Sequence, residues 1–296
     1  MQKKSINFRF SLTFSQKEYI INVLKFRRHI LFYYELHLHT NVGSACGNAD
    51  PEAYISYYKE NGYSGIVVTD HFFYGNTAIN RELEWTEHIK LFCDGYYRAK
   101  VEGDKQGLTV FFGFEHKFKD GADEYIILGL TPEWLAEHPE IKAMDRKTFF
   151  EFVRAAGGYS IQAHPYRVRG YIKDIRLSLD HVDAIEAFNS ANTPQSCRQA
   201  YEYAMNLGLP MVGGSDIHDL TSGRMLSGIA LKKPAQTPAD LINAIKSREA
   251  QILPIGVMDG IIDLPLDKPE LTVYVVDGKE LKETEDYFCE NKKCDN

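Results

Sequence analysis

The sequence contains no apolar run long enough to form a transmembrane helix. Such a helix needs about 20 consecutive, mainly apolar residues. Near the start of the chain, lysines and arginines interrupt every apolar stretch, so the sequence also lacks the continuous apolar segment of a secretory signal peptide. We therefore predict no membrane span and no membrane partner.

Cysteine is scarce in this chain of 296 residues. The five cysteines are odd in number and scattered, at positions 46, 93, 197, 289 and 294. Disulfide frameworks are typical of short secreted chains with an even number of regularly spaced cysteines. The pattern does not indicate such a framework, and it favours a reducing, cytoplasmic environment.

An excess of positive charge is also missing, because 34 lysines and arginines face 41 aspartates and glutamates, for a formal net charge of -7. A protein that binds polymeric nucleic acid or an anionic membrane commonly carries a net basic surface. The charge balance therefore disfavours nucleic acid as a polymer and favours a small-molecule substrate. It leaves the oligomeric state open.

Residues 1–30 depart from this balance, because their lysines and arginines face only one acid, Glu18. Three interpretations stay open: an ordered extra helix over residues 16–30, a nonspecific basic arm, or residues added by an upstream start codon. We treat residues 1–30 as a basic N-terminal extension without a catalytic role.

From Leu31 onward, short apolar strands alternate with helical segments, and this alternation predicts a mainly parallel sheet with helices outside it. Asp50 fits the N-cap position of the first helix, and Pro51 its first helical position. The chain length suits one α/β barrel, so we predict that the sheet closes. The predicted strands are 32–38, 65–69, 109–114, 125–130, 159–162, 184–188 and 210–212, and the predicted helices are 51–60, 82–102, 145–156, 194–206 and 238–246.

The first strand carries two histidines at alternate positions, in the sequence ELHLHT. Side chains alternate between the two faces of a strand, so Glu35, His37 and His39 share one face. Leu36 and Leu38 lie on the other face, which can pack under helices. The polar face then points into the barrel, where two imidazoles can converge on one metal ion.

Further histidines and carboxylates follow the ends of later predicted strands. Catalytic groups of α/β barrels gather at the carboxyl ends of the strands. Neutral imidazoles and carboxylates are common ligands of divalent metals. The coincidence of suitable donors at so many strand ends predicts a metal centre. The predicted donors are His37, His39, His71, Glu115, His164, Asp216 and His218.

Each of these motifs also has a simpler interpretation. The histidines of the first strand could be an ordinary buried or surface pair, and Asp70 with His71 could form a helix cap or turn. His164 could belong to a turn, and the glycines at 213–214 could serve a loop with unusual backbone angles. Glu115 ends an apolar strand, where an unpaired carboxylate is costly, so it needs either a cation or hydrogen-bond donors.

The order of the motifs HLHT, TDH, GFE, AHP and GSDIH resembles the polymerase and histidinol phosphatase (PHP) family of metal-dependent phosphoesterases. The resemblance covers roughly residues 33–230. It implies a distorted seven-stranded β/α (TIM-like) barrel, which we place at residues 31–258, followed by a peripheral segment at 259–296. It also implies two or three divalent ions per chain, of zinc, manganese or iron.

The resemblance further implies how the donors divide among the ions. Glu115 would bridge the first ion to a second ion that also takes His164. His71 and His218 would hold a third ion. Four donors would hold the first ion: His37, His39, Glu115 and Asp216.

The chain departs from the family pattern in two places. Where members often carry a histidine or aspartate after the first-strand motif, this chain has Cys46, which is either a thiolate ligand or a small core residue. The strand after Glu115 lacks the histidine that members often carry, which leaves Asp123 or Glu124 as substitutes. Asn189 is either a further metal-proximal group or part of a turn. A ligating Cys46 would favour zinc or iron.

The charge of a phosphate ester decides the expected mechanism. Two ions about 3.5–4 Å apart can activate a water and hold the phosphoryl oxygens. We therefore expect a phosphoric ester hydrolase in which a metal-bound hydroxide attacks phosphorus, with His71 or His218 as general acid if its own metal site is vacant. A guanidinium binds phosphate through two hydrogen bonds, so we predict phosphate binding by Arg167, Arg169 and Arg224, and count Arg167 among the catalytic residues.

Two other functions stay open from the sequence. A barrel hydrolase acting on C–N bonds often also carries a His-x-His pair, although the order of the motifs here disfavours it. A degenerate, noncatalytic PHP module that binds metal for regulation is disfavoured because seven donors remain. We favour a small phosphorylated metabolite or nucleotide as substrate.

The segment 259–296 contains a predicted β-hairpin. In LTVYVVDGKELKE, Asp277 and Gly278 separate a β-rich stretch from a charged one, which is a common hairpin signal. We expect the end of the chain to fray beyond it.

Overall fold

The computed structural model describes residues 31–179, 181–277 and 280–283, so the predicted extension at 1–30 lies outside the described residues. Within these residues, no helix is long and apolar enough to cross a membrane. The helices are α1 (Pro51–Glu60), α2 (Trp85–Phe92), α3 (Asp94–Gln106), α4 (Pro132–Glu137), α5 (Arg146–Ala155), α6 (Pro194–Leu207), α7 (Pro238–Lys246) and α8 (Val257–Ile262). The strands are β1 (Phe32–Glu35), β2 (Tyr63–Val68), β3 (Thr109–Lys117), β4 (Glu124–Leu128), β5 (Tyr159–Ala163), β6 (Ile175–Leu177), β7 (Ala184–Asn189), β8 (Met211–Gly214), β9 (Gly228–Leu231), β10 (Gln251–Leu253), β11 (Val273–Asp277) and β12 (Glu280–Glu283).

Nine strands form one mixed sheet, in the order β10-β9-β1-β2-β3-β4-β5-β7-β8. β1, β2 and β3 run parallel, and so do β5, β7 and β8. β4 runs antiparallel to β3 and β5, and β9 runs antiparallel to β1 and β10, so the prediction of a mainly parallel sheet is wrong at these strands. A parallel crossover needs a dozen or more residues, and the connection at 118–123 is too short for one.

The segments that follow β1 and β8 pair with each other just beyond the carboxyl ends of these strands. Leu38 forms a parallel bridge with Ile217, and the His39 amide donates a hydrogen bond to the Ile217 carbonyl at 3.0 Å. These contacts make the sheet a nearly closed barrel. The predicted α/β, TIM-like barrel is therefore confirmed, with nine strands in its sheet where seven were predicted.

The two faces of the first strand separate as predicted. Tyr34 and Leu36 are buried in an apolar cluster with Leu241 of α7. Glu35 and the two histidines after it are also fully buried, on the opposite face. β1 ends at Glu35, short of the predicted end at residue 38, because the amides of Leu36 and His37 donate to the Glu35 carboxylate instead of a neighbouring strand.

Some element bounds follow the local sequence pattern and others do not. α1 and α7 have the predicted bounds, whereas β6, β9, β10, α4 and α8 were not predicted. The single helix predicted over 82–102 is wrong, because α2 and α3 are separate helices that meet at Cys93. A side-chain carbon at Gly95 would come within 2.7 Å of the Thr40 hydroxyl, so the start of α3 packs closely on the loop after β1.

The segment after residue 258 contributes a small second sheet. β11 pairs in parallel with β6, and Val273 and Val276 are buried. β11 and β12 pair antiparallel, which confirms the predicted hairpin. Residue 258 lies inside α8, and the predicted domain limits stay a prediction.

His116 is a buried histidine on the outer face of β3, opposite the face that carries Glu115. Its ring stacks on Phe149 with 4.0 Å between ring centroids, and neither ring nitrogen has a hydrogen-bond partner among the described residues. Burial, with a smaller contribution from Arg146, lowers the pKa of His116 to about 3. An unfolded histidine titrates near pH 6.5, so at lower pH the unfolded chain binds a proton that the folded protein excludes.

We expect the substitution His116→Phe to remove part of the acid sensitivity of the fold. Stability is lost as the pH falls below the unfolded pKa, so between pH 7 and pH 5 the free energy of unfolding should fall about 2 kcal/mol more for the parent than for the variant. Urea unfolding at both pH values, with a chelator present, measures the difference. Equal losses in the two proteins would contradict this account.

Candidate metal centre

The seven predicted donors meet at the carboxyl end of the barrel. The pairing of β2 with β3 continues past the end of β2. The backbone carbonyl of Glu115 accepts from the Phe72 amide at 2.8 Å, and the backbone amide of Glu115 donates to the Asp70 carbonyl at 3.0 Å. This pairing places His71 beside Glu115. The segments after β1, β5 and β8 bring in the other donors. All are buried except His218, which is partly buried.

Four groups of three donors each have their ligand atoms within 4.8 Å of one another. Each group is compact enough to surround one ion, and shared members place neighbouring groups side by side. All seven predicted donors occur in them, while the assignment of each residue to a particular ion stays a prediction. The groups are His37, His39 and Glu115; His37, His164 and Asp216; His39, His71 and His218; and His71, Glu115 and Glu124.

Glu115 lies at the middle of the donors. Its Oε1 is 3.1 Å from His164 Nε2 and 3.2 Å from His37 Nε2. Its Oε2 is 2.7 Å from His71 Nδ1 and 3.6 Å from His39 Nε2. Because its two oxygens face different imidazoles, Glu115 has the geometry of a bridging ligand, the role that the family resemblance implies.

Several donor atoms in this centre make no hydrogen bond of acceptable geometry among the described residues, although some lie close to one another, as His71 Nδ1 and Glu115 Oε2 do at 2.7 Å. They are buried, and a buried polar atom without a partner costs roughly 1–3 kcal/mol. A divalent ion would satisfy them together, since imidazole nitrogens and carboxylate oxygens are its ordinary ligands. The residues therefore fit a metal centre. The unpartnered atoms are His37 Nε2, His39 Nε2, His71 Nδ1 and Glu115 Oε2.

Glu186 orients two of the histidines, and the sequence analysis did not select it. Its Oε1 lies 2.9 Å from His37 Nδ1, and its Oε2 accepts from the His164 amide at 2.9 Å. When His37 donates its Nδ1 proton to Glu186, its Nε2 is left to bind a metal. The available signal was a carboxylate inside the apolar strand AIEAFN, the same signal that selected Glu115.

Ser44 and Asp70 orient His39 in a similar way. The Ser44 hydroxyl donates to Asp70 Oδ1 at 2.7 Å, so its oxygen can accept from His39 Nδ1, which lies 3.2 Å away. This arrangement leaves His39 Nε2 facing the centre. Asp70 also accepts from the Thr40 amide at 2.6 Å, so it fixes the loop that carries His39. The sequence analysis considered Asp70 only as part of a cap or turn.

Two donors sit on strained backbone. His164 has φ of 30° and Asp216 has φ of 50°, in the left-handed region that side chains other than glycine rarely adopt. Such conformations cost on the order of 1–3 kcal/mol each and persist where surrounding contacts hold them. Here the Glu186 carboxylate holds the His164 amide, and the Arg167 amide donates to the His164 carbonyl at 3.0 Å.

The charges of the centre act against the effect of burial. Burial lowers the pKa of His37, but the nearby carboxylates, Glu186 first, outweigh it and raise this pKa well above its usual value. Burial raises the pKa of Glu115, but His37 and His71 outweigh it and hold the pKa well below its usual value. His39 differs, because burial and the adjacent His71 keep its pKa well below the usual value. Glu115 is therefore ionised and His39 neutral, which are the metal-binding forms.

Cys46 lies beside His71 and His218, the predicted ligands of the third ion. It is half buried and lines the same cavity as His71 and His218. Burial raises the pKa of Cys46, but the two histidines outweigh burial and lower it to about 6. Its partial exposure in the cavity beside both histidines fits the thiolate alternative better than the core alternative, and its role as a ligand stays a prediction.

Asn189 lies behind the donors and joins two charged residues. Its Nδ2 donates to Glu186 at 2.9 Å, and its Oδ1 accepts from Arg167 at 3.1 Å. Arg167 also pairs with Asp216 Oδ2. Burial by itself raises the pKa of Asp216, but Arg167 first, then His37, outweigh burial and hold this pKa well below its usual value. Asn189 thus positions Arg167.

The two candidates for the missing strand histidine differ in position. Glu124 lies in the centre, with Oε1 3.7 Å from His71 Nδ1 and Oε2 3.6 Å from His164 Nε2. Asp123 instead forms an ion pair with Arg146 at 2.9 Å. Of the two, Glu124 is therefore the one that lies among the predicted donors, and its role as a substitute ligand stays a prediction.

A cavity of about 530 Å³ opens above the donors. Cys46, His71, Glu124, Asp216 and His218 form its floor or walls. The three predicted phosphate-binding arginines also line it, so the structure brings them to the centre. Those arginines are Arg167, Arg169 and Arg224.

Comparison with solved structures shows a protein that shares this fold and others that resemble it more weakly. A two-domain protein from Bacteroides vulgatus that contains a predicted PHP-like metal-dependent phosphoesterase matches with a TM-score of 0.54 and 16% identity, over 75% of this chain and 64% of that chain. This chain thus spans just under two thirds of that protein. An amidohydrolase from Chromobacterium violaceum matches with a TM-score of 0.44 and 14% identity, over 75% of this chain and 97% of that chain. A lesion-specific endonuclease from Pyrococcus furiosus matches with a TM-score of 0.46 and 13% identity, over 76% of this chain and 58% of that chain.

One sequence family also matches part of the chain. Residues 194–250, from the start of α6 to just past α7, match the family described as PHP-associated. No curated protein matches the chain. The match and the fold agree with the resemblance that the motifs gave.

Proposed function

We propose that this chain, which belongs to the PHP family by its fold and its PHP-associated region, is a metal-dependent hydrolase of phosphate esters. The family resemblance predicted from the motifs is thereby confirmed, and the activity is our proposal. The proposed substrate is a small phosphorylated metabolite or nucleotide. The proposed cofactors are two or three ions of zinc, manganese or iron.

The observation that carries the proposal is the set of buried, unpartnered donor atoms below a basic cavity. Four such atoms belong to three histidines and one glutamate, and one of these residues, His71, lines the cavity together with Glu124, Asp216 and His218. Arginines line the same cavity, and a guanidinium binds phosphate through paired hydrogen bonds. The predicted metal ligands and the arginines that can bind phosphate thus face one cavity, and this arrangement suits hydrolysis of a phosphate ester.

The residues of the chain divide the work as follows. Divalent ions bound here would supply an activated water and would neutralise charge on the phosphoryl oxygens. Glu115 and Asp216 supply the anionic ligands. Arg167, fixed by Asp216 and Asn189, orients the phosphate, and Arg169 and Arg224 surround it from the cavity wall.

His218 is the proposed general acid when it holds no ion. Its Nδ1 lies 2.9 Å from the Asp216 carbonyl and donates to it, so its Nε2 is the atom that can pass a proton to the leaving group. Its side chain is 24% exposed and lines the cavity. His71 has less freedom for this role, because its Nδ1 is only 2.7 Å from Glu115 Oε2.

The first test measures metal content and phosphate release together. Protein purified without chelators or an affinity metal should contain two or three equivalents of metal, and it should release phosphate from some members of a panel of phosphate esters. A chelator should abolish the release, and added zinc, manganese or iron should restore it. These results are expected because the unpartnered donors need an ion and the ion activates the water.

The same panel distinguishes the alternatives. Hydrolysis of amides or cyclic imides, with no release of phosphate, would favour the C–N hydrolase. Bound metal with no hydrolysis of either class would favour the noncatalytic module. A chain that binds none of the three metals would refute the proposal.

A further inference from the structure

Four cationic side chains line the cavity, and one of them differs from the other three. Arg167 pairs with Asp216, while Arg169 and Arg224 donate to backbone carbonyls. The side chain of Lys117 forms no hydrogen bond or ion pair with another residue in the described part of the chain. It is partly exposed, at the end of β3. Among the four cations of the cavity, Lys117 is therefore the one whose charged group has no hydrogen-bond or ion-pair partner in the described part of the chain.

The acid closest to Lys117 in the sheet does not neutralise it. Lys117 and Glu124 are directly paired across β3 and β4, where opposite charges commonly attract each other. Glu124 instead directs its two oxygens toward His71 and His164, at 3.7 and 3.6 Å. Because the donor centre holds Glu124, the ammonium of Lys117 is left available to a ligand.

The position of Lys117 sets it apart from the arginines. It follows Glu115 by two residues on β3, so both side chains are on the face of the strand that points to the donors. Arg167 and Arg169 follow β5, and Arg224 follows β8. In the sheet, β4 lies between β3 and β5, and three strands separate β3 from β8. Lys117 thus lines a different side of the cavity from the arginines.

We propose that Lys117 binds a second anionic group of the substrate, so that the site prefers a phosphate ester that also carries a carboxylate or a second phosphate. This inference rests on the proposed function and narrows its substrate class. With the phosphate held by the ions and the arginines, a second anion on the β3 side meets the ammonium of Lys117, which makes no hydrogen bond with another described residue. A substrate with an amino group in that place would meet like charge and bind less tightly.

Phosphonates test this proposal without turnover, because their C–P bond is not hydrolysed as an ester is. We would titrate the metal-loaded protein with propylphosphonate, which has one anionic group, with 3-phosphonopropionate, and with propane-1,3-bisphosphonate. The variants are Lys117→Met, which removes the charge, and Lys117→Arg, which keeps it. Lys119→Met is the matched control, since Lys119 is exposed two residues further on and does not line the cavity.

In the parent, at least one doubly anionic phosphonate should bind about tenfold more tightly than propylphosphonate. Lys117→Met should abolish this preference for the doubly anionic ligand, Lys117→Arg should retain most of it, and Lys119→Met should leave it unchanged. The tighter of the two doubly charged ligands identifies the second group as a carboxylate or a phosphate. A parent without the preference, or a preference that survives Lys117→Met, would overturn the proposal.

Failure of this inference and failure of the proposed function give different results. If no ester is hydrolysed but the ratio depends on Lys117, the hydrolase proposal fails and the anion site stands. If esters are hydrolysed but the ratio of phosphonate affinities does not change when Lys117 is replaced, only the inference fails. Absence of any phosphonate binding to the metal-loaded protein would overturn the inference, and phosphate release from the ester panel would then decide the proposed function by itself.

Discussion

The double variant His37→Ala, His39→Ala is expected to lose at least one equivalent of metal and nearly all hydrolysis. Both Nε2 atoms are buried, unpartnered and directed at the same centre. An ion contributes several kcal/mol of charge stabilisation to the transition state, so its loss should lower kcat/KM about 1,000-fold or more. Metal analysis of the purified variant and phosphate release in excess metal measure the two effects.

His138→Ala is the matched control for the double variant. His138 is a partly exposed histidine that pairs with Glu140 at 2.9 Å, outside the donor groups. Its loss should leave metal content and kcat/KM unchanged. Circular dichroism of each variant would show that the fold is retained. A folded double variant with the metal content of the parent would remove these histidines from the centre.

The substitution Glu186→Gln is expected to lower metal affinity by about 10- to 100-fold, although Glu186 belongs to none of the donor groups. The carboxylate fixes the Nδ1 proton of His37 and the backbone of His164. Glutamine keeps the size but removes the charge, so the His37 ring loses its ionic partner. Competition with a chromophoric chelator measures the affinity for each metal.

Glu151→Gln is the control for this charge change, because Glu151 is an exposed residue of α5. It should leave the affinity for metal unchanged. If Glu186 acted only as packing in the core, Glu186→Gln would lower thermal stability and leave metal affinity as it is. That result would rule out a positioning role for Glu186.

The sequence by itself identified the donors, since their pattern is local. Alternation within ELHLHT is enough to put His37 and His39 on one face of a strand. Strand ends are also local features, so His71, Glu115 and His164 could each be recognised where an apolar stretch stops. The bounds of α1 and α7 were predictable for the same reason, because a proline marks the first helical position of each.

The groups that orient the donors could not be found in this way. Glu186 lies 149 positions from His37, and Asp70 acts on His39 through Ser44. A hydrogen bond between distant segments leaves no periodic trace in the sequence. The antiparallel direction of β4 was missed because strand alternation was read as parallel crossover, whereas the short connection 118–123 allows only a reversal.

Local chemistry therefore determined which residues can bind metal, and closure of the barrel decided what they do together. Side-chain alternation and strand ends act over a few residues, so the sequence carries them directly. The spacing of the donors around Glu115, the pairing of Arg167 with Asp216 and the unpaired charge of Lys117 arise only when β1, β3, β5 and β8 meet. Distances between those strands depend on the packing of the whole chain, and only the tertiary structure fixes them.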